Sequence, residues 1–272
     1  MQKGGKPLLY DEKDDIAFIR MNRPDMKNAI DSQCWSLFEE YFQTLLSETR
    51  IRALVITGTT PGIFSAGVDV QPSDPLISRL FTALQENDRN TVLEGIAYMQ
   101  GVLAMLADLP FPTIAAINGL CYSGGCELAL ACDIRIACQD AVLCFQEAAL
   151  GLIPDLGGTV RLARLVGPGR AKELIFSARK IDTDEALALG LITHVFTKTD
   201  FMRQIDMYVG KLMANGPQAL KSVKHIVDAA LNMPEKEALA VEKEQATINI
   251  MGGQCIEGIS AFLEKRTPKW KP

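Results

Sequence analysis

Two glutamates, Glu127 and Glu147, have the type and setting for acid–base chemistry. Glu127 closes the run Ile117-Asn118-Gly119-Leu120-Cys121-Tyr122-Ser123-Gly124-Gly125-Cys126-Glu127, and Glu147 ends Phe145-Gln146-Glu147. An apolar strand, Thr113 to Ile117, passes through a small-residue turn into a helix at about Gly125. Such a turn offers unpaired backbone N–H groups at the positive end of a helix, where an anion is stabilised. Glu127 lies just inside that helix and is followed by Leu128-Ala129-Leu130-Ala131-Cys132, so it is expected to be buried. Burial raises a carboxyl pKa and suits it to proton transfer. Two carboxylates in one water-poor site push each other's pKa apart, which separates an acid from a base. A third acid, Asp155, stands in Gly151-Leu152-Ile153-Pro154-Asp155-Leu156-Gly157-Gly158-Thr159, either as a further site carboxylate or as the N-cap of a following helix.

Ser65-Ala66-Gly67-Val68-Asp69 supplies a second possible donor. A glycine in a strand-to-loop turn lets the next N–H, that of Val68, project into a cleft. By itself this is an ordinary turn. Paired with the Gly124 N–H it gives two converging donors for a carbonyl oxygen that becomes an oxyanion, each typically worth about 10²–10³ in rate. Other chemistries find less support. Ser123 lacks the glycine two residues earlier that a nucleophile elbow needs, because Cys121 is there. The two histidines are His194, in an apolar strand, and His225, which makes a Ser-His-Asp hydrolase a weak reading. Ser177 and Lys180 match S-x-x-K by spacing only, and no nucleotide phosphate loop of the P-loop or G-x-G-x-x-G kind occurs.

The elements that must position these groups alternate. Strands are expected at Asp15–Met21, Arg52–Gly58, Thr113–Ile117, Ile134–Ile136 and Val142–Cys144. A helix capped by Asp31 or Ser32 carries Trp35, Phe38, Phe42 and Leu45 at three- and four-residue steps, and a long helical zone covers about Leu76 to Leu106. From Gly157 the chain reads as mostly helical, with a strand over Leu191–Phe196. Strands followed by helices imply an α/β fold whose ligands sit at strand ends and helix N-termini.

Composition narrows the class. The 272 residues suit one large core with an appendage, and 48% hydrophobic content without a membrane-length apolar run suits a globular protein outside the bilayer. A net charge of −5 with bases interspersed among acids argues against a nucleic-acid partner. The polar start shows no signal or transit pattern, so the cytoplasm is expected, and seven cysteines are expected as free thiols. Cys121, Cys126, Cys132, Cys138 and Cys144 recur at five- and six-residue steps but form no C-x-x-C pair, so they read as small buried apolar residues and no metal is expected.

Asn22-Arg23-Pro24, Phe64-Ser65-Ala66-Gly67-Val68-Asp69, Gly124-Gly125-Cys126-Glu127, Cys132-Asp133-Ile134-Arg135 and Gly151-Leu152-Ile153-Pro154 stand in one order. With these motifs the chain resembles the enoyl-CoA hydratase/isomerase (crotonase) superfamily over essentially its whole length, to the tail Phe262-Leu263-Glu264-Lys265-Arg266. The resemblance implies a crotonase-like spiral of repeated β-β-α units over residues 1–198 and a C-terminal helical trimerisation region over 199–272, hence a homotrimer or a dimer of trimers. It implies an acyl-CoA substrate, with coenzyme A part of that substrate and no separate cofactor. Carried over by position, the Val68 and Gly124 N–H groups form the oxyanion hole, and Glu127 and Glu147 match the acid/base pair with which hydratases add water across the 2,3 double bond. Dienoyl-CoA isomerases have an aspartate matching Asp155 where typical hydratases have glycine, so double-bond isomerisation is the alternative; a crotonase-fold scaffold without catalysis is a third reading. Asp25, Lys27, Ala29, Ala66 and Asp69 are the implied coenzyme A contacts, joined by Trp270 and Lys271 from a neighbouring subunit's tail. The zone Gln71–Leu106 would help wall the acyl pocket. Two departures stand out: Gln146 where Pro precedes the second glutamate in hydratases, and Ser123 in place of the first of three glycines.

Overall fold

The protein is described by a computed structural model covering residues 5–270. β1 (Leu8–Lys13) and β2 (Ile16–Met21) form an antiparallel hairpin whose two-residue turn, Asp14-Asp15, takes positive φ at both positions. That conformation matches the twist of the flanking strands, and Asp tolerates it better than most side chains. β1 is an addition to the sequence-based expectation. Its inner-facing apolar residues are few, with Leu8 the one buried side chain, so periodicity alone does not mark it.

β2 continues in parallel into β3 (Ala53–Gly58), β5 (Thr113–Ile117), β7 (Ile134–Cys138) and β9 (His194–Phe196), giving a six-stranded sheet of order β1-β2-β3-β5-β7-β9. Every residue of β3 and β5 is buried, because helices cover both faces of the sheet. On one face lie α1 (Ser32–Ser47), with Trp35, Phe38, Phe42 and Leu45, and α3 (Arg89–Ala107), with Met99, Val102, Leu103 and Leu106. On the other, α8 (Phe201–Met213) packs Phe201, Ile205 and Val209 against Phe18, Val55, Ile114 and Ile136. α8 thus belongs to the core rather than to the helices beyond it. Asp31 caps α1 by accepting from the Cys34 N–H.

A second, three-stranded parallel sheet is built from β4 (Gly62–Ser65), β6 (Gly119–Tyr122) and β8 (Val142–Cys144). Each follows a strand of the large sheet around a sharp corner: β3 to β4, β5 to β6, β7 to β8. This repeat is the β-β-α spiral. β4 and β6 are too short and glycine-broken to show as strands in the sequence, where they read as turn. Asn118 holds the corners together: its Oδ1 accepts from the Gly58 N–H at 3.2 Å, and its Nδ2 donates to the Gly58 and Thr60 carbonyls at 3.1 and 2.9 Å.

The long helical zone resolves into α2 (Pro75–Gln85) and α3, broken at Asn87 (φ 55°), with Asp74 and Asp88 capping the two starts. α4 (Gly124–Ala131) begins one residue before the expected start and is buried throughout. After a 3₁₀ turn at Glu147–Leu150 come α5 (Gly158–Val166), α6 (Pro168–Ser177) and α7 (Thr183–Ala188), then β9 and α8. The last helices are α9 (Pro217–Ala230), α10 (Glu235–Met251) and α11 (Gln254–Leu263), whose buried residues are Ser222 and Ala261. Among the described residues no helix is long and apolar enough to cross a membrane.

The corner between the sheets has no room for a side chain. A Cβ at Gly58 would stand 2.1 Å from the Ile63 carbonyl oxygen, while one at Gly101, on α3, meets nothing within 4 Å. Gly58→Ala is therefore expected to destabilise by at least about 2 kcal/mol through overpacking against backbone. Gly101→Ala should instead stabilise by about 0.5–1 kcal/mol through reduced chain entropy. Urea denaturation of both variants checks the contrast; equal effects would contradict it.

Candidate active site

The three strands of the small sheet run in parallel, and each delivers one segment of the site at its carboxyl end. β4 exits into Ala66-Gly67-Val68, β6 into Ser123-Gly124, and β8 into Phe145-Gln146-Glu147. Strand carboxyl ends beside helix starts are where α/β folds bind ligands.

The first two segments meet backbone to backbone. A Cβ on Gly67 (φ 103°) would lie 2.9 Å from the Gly124 nitrogen and 2.9 Å from Ser123 Cβ, and one on Gly124 would lie 3.1 Å from the Val68 nitrogen. A Cβ on Gly125 would stand 2.6 Å from the Ser65 carbonyl oxygen, so α4 can start against the end of β4 only with glycine there. Around Val68 the other N–H groups are committed. Ala66 donates to the Lys27 carbonyl at 2.9 Å, Gly67 to Ser65 Oγ at 3.1 Å, and Asp69 to the Ile30 carbonyl at 2.9 Å. The Val68 and Gly124 N–H groups have no acceptor among the described residues. The structure therefore brings together the two donors expected from sequence.

Glu127 and Glu147 are 1% and 6% exposed. Glu127 Oε2 accepts from the Leu156 N–H at 2.8 Å and the Gly158 N–H at 2.7 Å, while no described group donates to Oε1. A Cβ on Gly158 would come within 2.6 Å of the Glu127 carboxylate, so glycine is required for this grip. These two backbone donors are the site's contribution that residue-type reasoning misses; the Gly157-Gly158 pair is the signal that could have pointed to them. Glu147 differs, because both of its oxygens are buried without any hydrogen-bond partner among the described residues. Burial pushes Glu127 up to about 8, against the pull of the Gly158 N–H and with help from the charges of Glu147 and Asp155. Burial likewise raises Glu147 to about 7, with Asp155 adding to the shift. Asp155 itself is raised by burial. It does not cap α5: that position is Gly157, at φ 97°, and Asp155's backbone carbonyl instead accepts from Gln100 Nε2 on α3. The charge of Asp155 thus reaches both glutamates.

The implied coenzyme A contacts divide. Asp25 and Lys27 are exposed on the 3₁₀ turn after β2, and Lys27 is tied through its carbonyl to Ala66. Ala29 is buried, and its carbonyl accepts from Arg23. Asp69 is 6% exposed and already committed: Oδ2 pairs with Arg23 Nη2 at 2.9 Å and Oδ1 accepts from the Gln71 N–H at 3.1 Å. Arg23 also pairs with Asp31 at 3.1 Å, so the Asn-Arg-Pro motif staples the Val68 loop to the cap of α1. Asp69 acts here as a brace for that loop. Within the chain Trp270 Nε1 donates to the Ala214 carbonyl at 2.9 Å, and Lys271 falls outside the described residues.

The family model for enoyl-CoA hydratase/isomerase matches residues 11–272. The chain belongs to the enoyl-CoA hydratase/isomerase family. It is 35% identical over 268 residues to the mitochondrial methylglutaconyl-CoA hydratase of Mus musculus, covering 97% of this chain and 82% of that protein. With the short-chain-enoyl-CoA hydratase of Clostridium acetobutylicum it shares 32% identity over 270 residues, 95% of each chain. The crystal structure of an enoyl-CoA hydratase from Bacillus anthracis superimposes with a TM-score of 0.88 at 31% identity, covering 97% of this chain and 99% of that one. Enoyl-CoA hydratase/isomerase membership and the crotonase fold are thereby established, and an acyl-CoA substrate is consistent with both.

The raised carboxyls carry a stability signature for this family member. From the ordinary glutamate value of 4.5, burial pushes Glu147 up to about 7 and Glu127 up to about 8 in the folded protein. The folded state binds more protons across that window, so stability is fullest below 4.5 and is lost as pH rises through the folded values. Glu147→Gln is expected to raise the melting temperature over wild type by an amount that is small in acid and grows as pH climbs from 4.5 to about 7. Thermal melts across that range check this, and a gain independent of pH would contradict it.

Proposed function

We propose that this protein is an enoyl-CoA hydratase that adds water to a 2-enoyl-CoA thioester. The observation that carries the reading is the unequal treatment of two buried glutamates beside a pair of free N–H donors. Glu127 is fixed by one oxygen and has the other uncommitted; Glu147 has both oxygens bare. The thioester oxygen would sit between the Val68 and Gly124 N–H groups. Glu127 Oε1 takes a proton from water as the water oxygen bonds to C3, and the electron pair of the double bond moves toward the thioester oxygen as an enolate. The hole stabilises that charge as it forms, and protonated Glu147 then delivers a proton to C2. Burial raises both carboxyls, Glu127 to about 8 and Glu147 to about 7, so the pair holds at least one proton at neutral pH, and this route runs through the microstate in which Glu147 carries it and Glu127 is ionised.

Asp155 supports a second reading, double-bond isomerisation. Its charge raises both glutamates, so it lies within electrostatic reach of each. In that chemistry Glu147 and Asp155 would move a proton along the acyl chain without consuming water. The exposed apolar residues Val223, Val227, Ile256, Ile259 and Phe262 on α9 and α11 support assembly into trimers or hexamers.

Mass spectrometry of 2-enoyl, 3-enoyl and dienoyl-CoA esters incubated with the protein in heavy water separates these readings. A product heavier by one added water supports hydration. Deuterium exchange with a shifted double bond and no added water supports isomerisation, and no change on any ester favours a scaffold. In the hydratase, Glu147→Gln should lower kcat by about 10²–10⁴ with little change in affinity for a saturated acyl-CoA. Asp155→Asn should leave most hydratase turnover intact; its loss would point to the isomerase.

A further inference from the structure

Ser123 occupies a costly position with no structural return. It precedes α4 as its N-cap, yet its side chain makes no capping bond. Its backbone lies at φ 48° and ψ −124°, a conformation that glycine adopts freely and an L side chain resists. The hydroxyl is buried with no hydrogen-bond partner among the described residues, and the residue is 9% exposed. Orphaned polar groups and left-handed backbone at one residue are the kind of local cost that persists where function requires it.

The strained backbone also fixes where the side chain goes. At ψ −124° Cβ is nearly eclipsed with the following nitrogen, so the Ser123 side chain and the Gly124 N–H leave the turn on the same side. The Gly67 contact agrees, because a Cβ there would be 2.9 Å from both Ser123 Cβ and the Gly124 nitrogen. Ser123 Cβ and Gly124 N therefore stand together against the loop that presents the Val68 N–H.

We propose that the Ser123 hydroxyl is a third donor of the oxyanion hole, turning about χ1 to hydrogen-bond the thioester oxygen as it becomes an enolate. This rests on the acyl-CoA reading of the site, and holds for hydration or isomerisation alike, since both pass through the enolate. A glycine here would leave the hole with two N–H donors; serine adds a hydroxyl whose proton can follow the developing charge.

Ser123→Ala removes the hydroxyl and keeps Cβ; Ser123→Gly removes the strain as well. Both are compared with wild type in steady-state turnover of the ester the wild type consumes, in thermal melting, and in binding of acetoacetyl-CoA, whose enolate absorbs in the near ultraviolet, against saturated butyryl-CoA. Both variants are expected to lose about 10²-fold in kcat with little change in KM, and to bind the enolate more weakly with butyryl-CoA affinity unchanged. Ser123→Gly should melt at a higher temperature than wild type despite its lost activity, a split that a purely structural serine would not give. Wild-type kcat and enolate binding in Ser123→Ala would overturn the proposal, as would a loss confined to Ser123→Gly. If the wild type turns over no ester but its enolate band weakens in Ser123→Ala, the third donor stands and the hydratase reading falls. A wild type that binds neither thioester overturns both.

Discussion

The site depends on one backbone-to-backbone contact. The loop after β4 and the turn after β6 approach so closely that Gly67 and Gly125 have no space for a β-carbon, and one on Gly124 would press against Val68. Separating the loops by the width of one methyl group would turn two convergent N–H groups into two unrelated ones. Much of the surrounding hydrogen bonding serves to hold this approach. Asn28 donates to the Phe64 carbonyl at 3.0 Å, Ser65 Oγ donates to the Asn28 carbonyl at 2.8 Å, and the Arg23 guanidinium ties Asp69 to Asp31. Buried charge of this kind is costly to leave unpaired, so removing either partner of Arg23 and Asp69 would loosen the loop more than their surface area suggests.

The acids show the complementary arrangement. Precise placement and high proton affinity are opposing demands, because the N–H bonds that orient a carboxylate also favour its charged form. Glu127 meets both by being almost wholly desolvated while gripped on one oxygen; burial outweighs the two donors. Glu147 takes the other solution and is held by packing alone on its 3₁₀ turn. The same low dielectric that makes these carboxyls expensive to ionise would strengthen any hydrogen bond made to the Val68 and Gly124 N–H groups.

The chemistry was more legible in the sequence than the architecture that produces it. Glu127, Glu147, Val68 and Gly124 stand out because carboxylates in apolar runs and glycines at strand ends are unusual, and the structure gathers them. β4 and β6 do not stand out: four residues bounded by glycine carry no period, and their pairing, Ile63 with Leu120 and Ser65 with Cys121, is set by tertiary contacts. The grip on Glu127 was hidden for another reason. It comes from the N–H groups of Leu156 and Gly158, and main-chain donors leave a trace only where a glycine is needed to admit their partner. Asp69 shows the opposite failure, a polar residue in the right motif whose carboxylate is already spent on Arg23. α8 reads as one more appended helix until its buried face is seen against the underside of the sheet.

Because each strand of the small sheet delivers a separate piece of the site, the pieces are separable in descent. On the proposed reading the first two exits make the hole, a demand common to any reaction that passes through a thioester enolate. Glu147 and Asp155 lie on the third exit and the segment leading to α5, which contributes no donor to that hole. A lineage could therefore exchange residues along this third segment, trading one proton route for another, without disturbing the glycine contact that every intermediate form would still require. On that reading the first two exits carry a fixed part, the paired donors with Glu127 behind them on α4, and the third carries the replaceable carboxyls.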